Sequence, residues 1–260
     1  MTDLVRFDQA TAAEWPDLVD ELDRWGEAGR VARLWWRDDD AVTLTPQLGA
    51  LLRLAGEAPV ALAVIPALAQ PELATALEGS PRTVVLQHGW QHANRATHGK
   101  KSEYPEGRSA AVVAAEIGAG RARLKALFGR RAAAVLVPPW NRFAGELLPL
   151  LAHNGIAGIS TMVSPSGAAL PPGLAALDVH LDLVAWHGNR GFIGAATALG
   201  GLVGHLRATR LGAVDTAGPI GILTHHLIMD GPTAAFLDSL TALIGTHAAS
   251  RWASVPEPVQ

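Results

Sequence analysis

Short apolar runs alternate with longer helical patterns along most of the chain. The runs are rich in Val, Ile and Leu, and most are bounded by glycine or proline, which is typical of buried parallel strands. The strands predicted in this way are residues 34–37, 60–65, 83–87, 133–137, 156–160, 179–184 and 220–224.

The segments between these runs carry the residue spacing and the end signals of helices. Ser109 is the predicted N-cap of a helix that ends before Gly129, and Pro232 is predicted at a first helical position. The predicted helices cover residues 10–29, 46–56, 109–128, 143–154, 195–210 and 232–248.

Repeated strand–helix alternation predicts parallel βαβ units in an α/β fold. A closed barrel and an open doubly wound sheet both satisfy this pattern. No G-x-G-x-x-G sequence follows the first strand, which disfavours the dinucleotide-binding form of the open sheet. The 260 residues contain no linker or repeat, so we expect one domain over residues 1–260, with residues 1–30 as an N-terminal helical extension.

Charge and cysteine content narrow the classes of function. The formal net charge is −3, and the densest basic spot is the short Lys100-Lys101 pair. Nucleic-acid binding is therefore not expected, because phosphate affinity depends on clustered Lys and Arg. Cysteine is absent, so a metal would have to be bound by His, Asp or Glu.

The N-terminus has acidic residues from its start and lacks the apolar core of a secretory signal. No stretch reaches the roughly 18 uninterrupted apolar residues of a membrane span. We therefore expect a soluble cytoplasmic protein with no membrane partner.

Unusual polar residues fall where the predicted strands end. In a (β/α) barrel the carboxyl ends of all strands meet on one face, which carries the active site, so these separate segments are expected to converge. The segments are Asp38 to Asp40, His88 with His92, Pro138 to Arg142, Trp186 with His187, and His225 with His226.

The aspartates and the first two histidines suggest a metal site. One aspartate after a strand is usually a turn or helix cap, but three in a row repel one another unless a cation compensates. His88 and His92 stand at i and i+4, which on a helical turn would point both imidazoles the same way. The alternative is two unrelated surface histidines, and the aspartates favour the metal.

Two further segments have competing interpretations. The rigid Pro138-Pro139 turn is either a stiff cap on the barrel or a loop that aims a backbone N–H at a substrate oxygen. Successive side chains on a strand alternate, so at most one of His225 and His226 should face the centre, and a general acid is favoured over a core histidine. Asp182, in the sixth predicted strand, is either the partner of a catalytic histidine or part of a structural ion pair.

The order of these motifs resembles the polysaccharide deacetylase family, also called carbohydrate esterase family four. That family has paired aspartates after the first strand, H-x-x-x-H, an R-P-P-Y-type loop, a D-W segment and L-x-H. The corresponding residues here are Arg37-Asp38-Asp39-Asp40, His88 with His92, Val137-Pro138-Pro139-Trp140, Ala185-Trp186 and Leu223-Thr224-His225.

The resemblance implies a distorted (β/α) barrel of about seven parallel strands and a metal-dependent deacetylase acting on an acylated sugar or small molecule. The aspartate pair is either Asp38-Asp39 or Asp39-Asp40, and we favour Asp39 as catalytic base and Asp40 as metal ligand. Asp40, His88 and His92 would then hold a divalent ion, with zinc as the default.

The resemblance also assigns roles to the remaining residues. The Trp140 N–H would hold the oxyanion, with Pro139 and Arg142 beside the substrate, and His225 would protonate the leaving group. Asp38, Asp182 and His187 would be supporting residues.

Two motif positions depart from the family. The arginine before Pro-Pro is Val137, for which Arg142 or Arg37 is a candidate replacement, and the aspartate of the D-W segment is Ala185. These departures leave two other functions open. One is a metallohydrolase of a small non-sugar amide or ester inside the cell, and the other is a barrel that binds a carbohydrate or metabolite without turnover.

Overall fold

The computed structural model describes residues 12–162, 170–214 and 218–255. The strands are β1 (Ala32–Ala41), β2 (Val60–Val64), β3 (Thr83–His88), β4 (Ala132–Val137), β5 (Gly158–Ile159), β6 (Ala175–Ala176), β7 (Leu181–Asp182), β8 (Ile220–Thr224) and β9 (Ser250–Trp252). The α-helices are α1 (Trp15–Glu27), α2 (Pro46–Ala55), α3 (Pro71–Ala76), α4 (Ala110–Phe128), α5 (Pro149–His153), α6 (Ala195–Arg210) and α7 (Gly231–Thr246).

All paired strands run parallel, in the order β6-β5-β4-β3-β2-β1-β8-β7, and β9 pairs with the start of β1. The segment from β6 to β7 joins the two edges of this sheet. Its Val179 N–H donates to the Thr161 carbonyl at 2.8 Å, while the next N–H, of His180, donates to the Gly221 carbonyl of β8 at 2.7 Å. One irregular strand therefore closes the sheet into a seven-stranded barrel.

This closure agrees with the predicted distorted (β/α) barrel of about seven parallel strands. The seven strands of the barrel are β1 to β5, the combined β6–β7 segment, and β8. A closed α/β barrel brings the carboxyl ends of its strands together on one face, as the sequence argument required.

Side chains alternate between the inside of the barrel and the layer under the helices. One buried cluster contains Trp35, Ala63, Leu86, Val137 and Leu223, which are contributed by β1, β2, β3, β4 and β8. A larger cluster packs the other faces of these strands against the helices. The inner cluster fixes which residues of each strand face the barrel axis, and this parity decides the orientation of the polar residues above it.

Several element boundaries differ from the prediction. The helix predicted over residues 143–154 is a 3₁₀ turn (Gly145–Leu147) followed by the short α5, because Pro149 has no N–H to continue a helical ladder. The sequence patterns did not identify α3, β6 or β9.

The caps also differ in detail. Ser109 precedes α4 but makes no side-chain capping bond. In α7, by contrast, Asp230 is the N-cap and accepts the Thr233 N–H at 2.8 Å, and Pro232 is the second residue of the helix. The first two residues of the predicted N-terminal helix lie outside the described residues. No helix in the described ranges is long and apolar enough to cross a bilayer.

Candidate metal centre

The sequence suggested that the three aspartates follow the first strand. In the structure they belong to β1. Asp39 shares the parity of Trp35 and Arg37 and therefore faces the barrel axis, whereas Asp38 shares the parity of Trp36 and faces the layer under the helices. Asp40 has φ 71° and lies in an irregularity of the β1–β2 pairing between Asp38 and Ala41. This left-handed residue breaks the alternation, so the side chains of Asp39 and Asp40 are both available at the carboxyl-end face.

Asp40, His88 and His92 form a group whose ligand atoms all lie within 4.8 Å of one another. The Nε2 atoms of both histidines approach the same oxygen, Asp40 Oδ1, at 3.2 and 3.3 Å. Two imidazoles and one carboxylate are the donor set that proteins use for divalent ions such as zinc.

The hydrogen bond on the far side of His88 supports this use. His88 Nδ1 lies 3.0 Å from the Val137 carbonyl, and a carbonyl can only accept, so Nδ1 carries the proton. In neutral His88 the Nε2 lone pair then faces the Asp40 carboxylate. Two acceptors in this position attract each other only through a shared proton or a cation, so these residues fit a divalent metal ion.

The electrostatics of the group point in the same direction. Burial alone would raise the pKa of Asp40, but the hydrogen bond and charge of His88, together with His92 and His225, lower it below its usual range. Burial and the neighbouring His88 lower the pKa of His92. Asp40 and His92 are thus in the forms that bind metal, an ionised carboxylate and a neutral imidazole. At His88 the effect of burial is outweighed by Asp39 and Asp40, which raise the pKa, so this position favours a positive charge.

The segment carrying the histidines is an irregular loop and not the helical turn that the i, i+4 spacing suggested. Gly89 has φ 58° and His92 has φ 56°. A Cβ added at Gly89 would overlap Glu103 Oε2 and would lie 2.7 Å from Pro139 Cδ. Glycine is therefore required at this position, both for its backbone conformation and for the close packing around it.

Glu103 lies under this loop and holds its backbone. The carboxylate is buried, with 1% exposure, and accepts the N–H groups of Trp90 at 3.1 Å, Gln91 at 2.8 Å and Ala93 at 3.5 Å. These bonds span the residues between and after the two candidate histidine ligands. Glu103 thus sets the path that brings His92 back towards Asp40.

Asp39 is paired with Arg37, which is itself fully buried. Arg37 Nη2 donates to Asp39 Oδ2 at 3.0 Å, and Nε lies 2.9 Å from Oδ1 as an ion-pair contact. The guanidinium also donates to Asn141 Oδ1 at 2.7 Å and to Ser160 Oγ at 2.8 Å.

Of the two arginines considered as replacements for the missing motif arginine, Arg37 therefore contacts Asp39. Arg142 donates to the Lys101 carbonyl at 2.9 Å, away from that carboxylate.

Asp38 is the centre of a separate buried network. It accepts a hydrogen bond from Thr224 Oγ1 at 2.6 Å, and its other oxygen lies 2.5 Å from His226 Nδ1. Burial alone would lower the pKa of His226, but the bond to Asp38 and the charge of Asp38 raise it. Asp38 thus joins β1 to the end of β8.

His225 has the opposite parity to His226 and shares that of Leu223 in the barrel interior. The edge of its ring meets the Trp186 ring at 4.8 Å, and its charge lowers the pKa of Asp40. Asp182 is near enough for His225 to lower its pKa as well, although burial raises that pKa overall. The Asp182 carboxylate accepts from Trp186 Nε1 at 2.7 Å, and His225 Nδ1 is buried without a hydrogen-bond partner in the described part of the chain.

The remaining predicted residues lie around the candidate metal centre and do not belong to its ligand set. Pro139 is buried and packs on Gly89, while the ring of Trp140 contacts that of His92 at 4.5 Å between centroids and an angle of 52°. His187 is exposed in the turn after Trp186, and no contact joins it to the centre within the described ranges.

Backbone strain is concentrated at this face. The non-glycine residues with positive φ in the described chain are Asp40, His92, Trp140, Asn141 and Arg190. Four of them carry side chains of the centre or of the loop packed on it. Such conformations are costly and cluster at functional sites, where the surrounding structure enforces them.

Sequence reasoning missed Glu103, Asn141 and Ser160 as residues that orient the centre. Asn141 is adjacent to the Pro-Pro-Trp motif, which is a signal that could have been used. Ser160 has no local signal, because its partner Arg37 lies in another strand. Glu103 has none either, because the N–H groups that it accepts lie 10 to 13 residues before it in the same long loop.

Comparisons with known proteins identify the fold. No family model matches the chain, and a search of curated proteins finds no match either. Among solved structures, a putative polysaccharide deacetylase from Mycobacterium smegmatis is similar with a TM-score of 0.63 and 18% identity, covering 93% of this chain and 90% of that one.

Two further solved structures are similar over comparable lengths. A peptidoglycan N-acetylglucosamine deacetylase has a TM-score of 0.53 and 16% identity, with 92% and 96% coverage of the two chains. A family 4 acetyl xylan esterase from Clostridium thermocellum, in complex with a cobalt ion, has a TM-score of 0.52 and 13% identity, with 85% and 87% coverage. The protein therefore has the fold of the polysaccharide deacetylases and family 4 carbohydrate esterases, in agreement with the resemblance of its motifs.

Proposed function

We propose that the protein is a metal-dependent hydrolase that removes acyl groups, acetyl above all, from an N- or O-acylated carbohydrate-like substrate. The observation that carries this proposal is the convergence of Asp40, His88 and His92 beside the paired Asp39 and the inward-facing His225. Zinc is the ion we expect first for two imidazoles and a carboxylate, although other divalent first-row ions suit the same donors.

Each residue then has a chemical task. A divalent ion held by Asp40, His88 and His92 would supply Lewis-acid polarisation of the acyl carbonyl and acidification of the attacking water. Asp39 accepts the proton of that water, and the Arg37 guanidinium keeps its carboxylate in position. His225 protonates the departing amine or alkoxide, and the Trp140 N–H holds the oxyanion.

Proteins of the same fold support the reaction class. One acts on peptidoglycan N-acetylglucosamine, one is an acetyl xylan esterase with a bound cobalt ion, and one is a chitin deacetylase from Colletotrichum lindemuthianum. These substrates are acetyl amides and acetyl esters of sugars. We therefore propose an acetylated sugar as the first substrate class to test, and a small non-sugar amide or ester as the second.

The test begins with elemental analysis of the purified protein. We expect about one equivalent of a divalent first-row metal, release of acetate from acetylated oligosaccharides, loss of this activity with a chelator, and recovery when the metal is restored. Parallel assays with small N-acetyl amides separate the two substrate classes. Acetate release that persists in the metal-free protein would contradict the proposal.

A binding function without turnover is the second candidate, because one feature of the site favours it. Asp182 is engaged by Trp186 and leaves His225 Nδ1 without a hydrogen bond, whereas a histidine acid is normally oriented by a partner. The same fold includes a family 4 pseudoenzyme whose mutant has restored activity. Sugar binding with no acetate release from any acetylated probe would favour this second function.

A further inference from the structure

Exposed apolar side chains are concentrated on the face that carries the metal centre. Of the eight large apolar side chains that are exposed in the described residues, five lie in turns that leave the carboxyl ends of strands. These five are Leu44, Leu68, Trp186, Leu227 and Ile228, and we call them the apolar rim. A single exposed leucine is ordinary on a protein surface, but a group on one face marks an interaction site.

The turns that carry the apolar rim are neighbours in the barrel. They follow β2, β1, β8 and β7, which are adjacent in that order. The turns after β1 and β2 are joined by a hydrogen bond from the Gln70 N–H to the Val42 carbonyl at 2.9 Å. At the other end of the rim, Trp186 meets the His225 ring at 4.8 Å, so the rim continues into the proposed active site.

Charge divides the same face into two halves. The turns after β1 and β2, residues 42–45 and 65–70, contain no charged residue. The loop after β3, on the other side of the centre, exposes Arg95, Lys100 and Lys101, and Arg142 from the turn after β4 is bonded to it through the Lys101 carbonyl. Glu106 is the exposed acid of that loop. The turns after β7 and β8 add the exposed Arg190 and the partly buried Asp230. The face is therefore largely apolar on one side of the metal ligands and predominantly basic on the other.

Resting on the proposed function, we propose that this face docks on a lipid surface with anionic headgroups and that the acylated substrate is an amphiphile presented there. Leucine, isoleucine and tryptophan side chains enter the boundary between headgroups and acyl chains, where tryptophan is favoured. Lysine and arginine beside them bind anionic headgroups. An active site between the two halves would receive the polar, acylated part of a lipid-anchored molecule.

The proposal is tested by flotation of the full chain with vesicles of phosphatidylcholine, with or without added phosphatidylglycerol. We expect binding to the mixed vesicles that weakens as salt is raised, because the basic half contributes through screened charges. The triple variant Leu44→Ser, Leu68→Ser and Leu227→Ser should bind at least about tenfold more weakly. Leu211→Ser is the matched control, since Leu211 is 66% exposed but follows the C-terminal end of α6, on the opposite end of the barrel.

A second variant, Lys100→Glu with Lys101→Glu, tests the charged half. It should lose the preference for phosphatidylglycerol without losing metal. Native protein that does not bind either vesicle would overturn the proposal, as would a triple variant that binds like the Leu211→Ser control. A native dimer that the triple variant converts to a monomer, with no vesicle binding, would assign the apolar rim to a second copy instead.

Metal content and melting temperature are measured for every variant. None of the substituted side chains belongs to the metal centre, so both should stay at native values. Vesicle binding that persists when no acetylated probe is hydrolysed would contradict the proposed function alone. Metal-dependent acetate release without vesicle binding would contradict the docking surface alone.

Discussion

Two histidine pairs lie in this protein at similar ring separations but in different electrostatic surroundings. His88 and His92 are 4.9 Å apart between ring centroids, and His180 and His205 are 4.3 Å apart. The first pair points its Nε2 atoms at Asp40, and His88 has a raised pKa because Asp39 and Asp40 outweigh the effect of burial. In the second pair His180 Nδ1 accepts the Gly221 N–H at 2.9 Å.

The second pair is held neutral. Burial lowers the pKa of His205 to about 4, and burial together with His205 lowers that of His180 to about 3. We therefore do not expect the proximity of two imidazoles to be sufficient for a metal site. We expect the neighbouring carboxylate to decide whether the pair attracts a cation or stays uncharged in its buried surroundings.

The comparison is tested most strongly by removing one imidazole from each pair. His88→Ala should abolish retention of the metal, because only Asp40 and His92 would remain of the proposed ligands. His180→Ala should leave metal content unchanged. Elemental analysis of both variants after gel filtration makes the measurement, and a His88→Ala protein that keeps one equivalent of metal would refute the ligand assignment.

Loss of a cationic partner should destabilise the protein more when the carboxylate is buried near the centre than when it is exposed on the surface. Arg37→Met leaves the buried Asp39 without its counter-charge and should lower the free energy of unfolding by about 3–5 kcal/mol. Arg82 and Glu57 form a control pair at the same 2.9 Å, with side chains 59% and 89% exposed. Arg82→Met should cost about 0–1 kcal/mol in denaturant unfolding, and similar losses for both variants would show that Arg37 has no special role.

The inward parity of His225 predicts a catalytic effect without loss of metal. His225→Ala should lower turnover by about 10²–10⁴, the usual contribution of a general acid. Turnover with an acetylated substrate and metal content are measured on the same preparation. Full activity in this variant would remove His225 from the mechanism.

Glu103 is not a proposed ligand, but it should affect metal affinity because it holds the loop that carries His92. Glu103→Gln replaces one acceptor oxygen by an NH₂ group, so it cannot accept all three loop N–H groups, and metal affinity should fall by about 10–100-fold. A competition titration with a chelating dye measures this affinity. Glu116→Gln, which changes a partly buried carboxylate that accepts from Arg108, is the control, and equal affinities in the two variants would argue against a positioning role.

The second histidine pair should appear in the pH dependence of stability. A histidine whose pKa is lowered in the folded state contributes fully to stability above its unfolded pKa of about 6.5. This contribution is lost as the pH falls below that value, because the unfolded state then binds the proton more readily. Between pH 8 and pH 5 His180 should therefore cost the native state about 2 kcal/mol. His180→Asn keeps an acceptor for the Gly221 N–H and should reduce this loss by about the same amount in urea unfolding at the two pH values. An unchanged pH dependence would contradict the lowered pKa.

The motif residues and their strands were largely predictable, because each strand signal is local. Apolar runs predicted β2 to β4 and β8 with small errors at their ends, and β1 with an end four residues too early, because the aspartates interrupt its apolar pattern. In contrast, β6 and β9 have two and three residues and no distinctive pattern. The pairing of Arg37 with Asp39 was only one of two possibilities in the sequence. It became definite once strand parity placed both side chains inside the barrel, with Asn141 and Ser160 brought to the same guanidinium.

The order of apolar runs and helical patterns determined by itself that the chain is an α/β protein of repeated βαβ units with polar residues at its strand ends, since these features depend on spacing along the chain. The tertiary structure decided that the sheet closes into a barrel. It decided which aspartate joins the histidines, because that depends on the left-handed backbone at Asp40. It also decided that Asp38 belongs to His226, that Glu103 holds the histidine loop, and that His180 and His205 stay apart from the centre. Each of these contacts joins residues that are well separated along the chain, and only the folded chain brings them into contact.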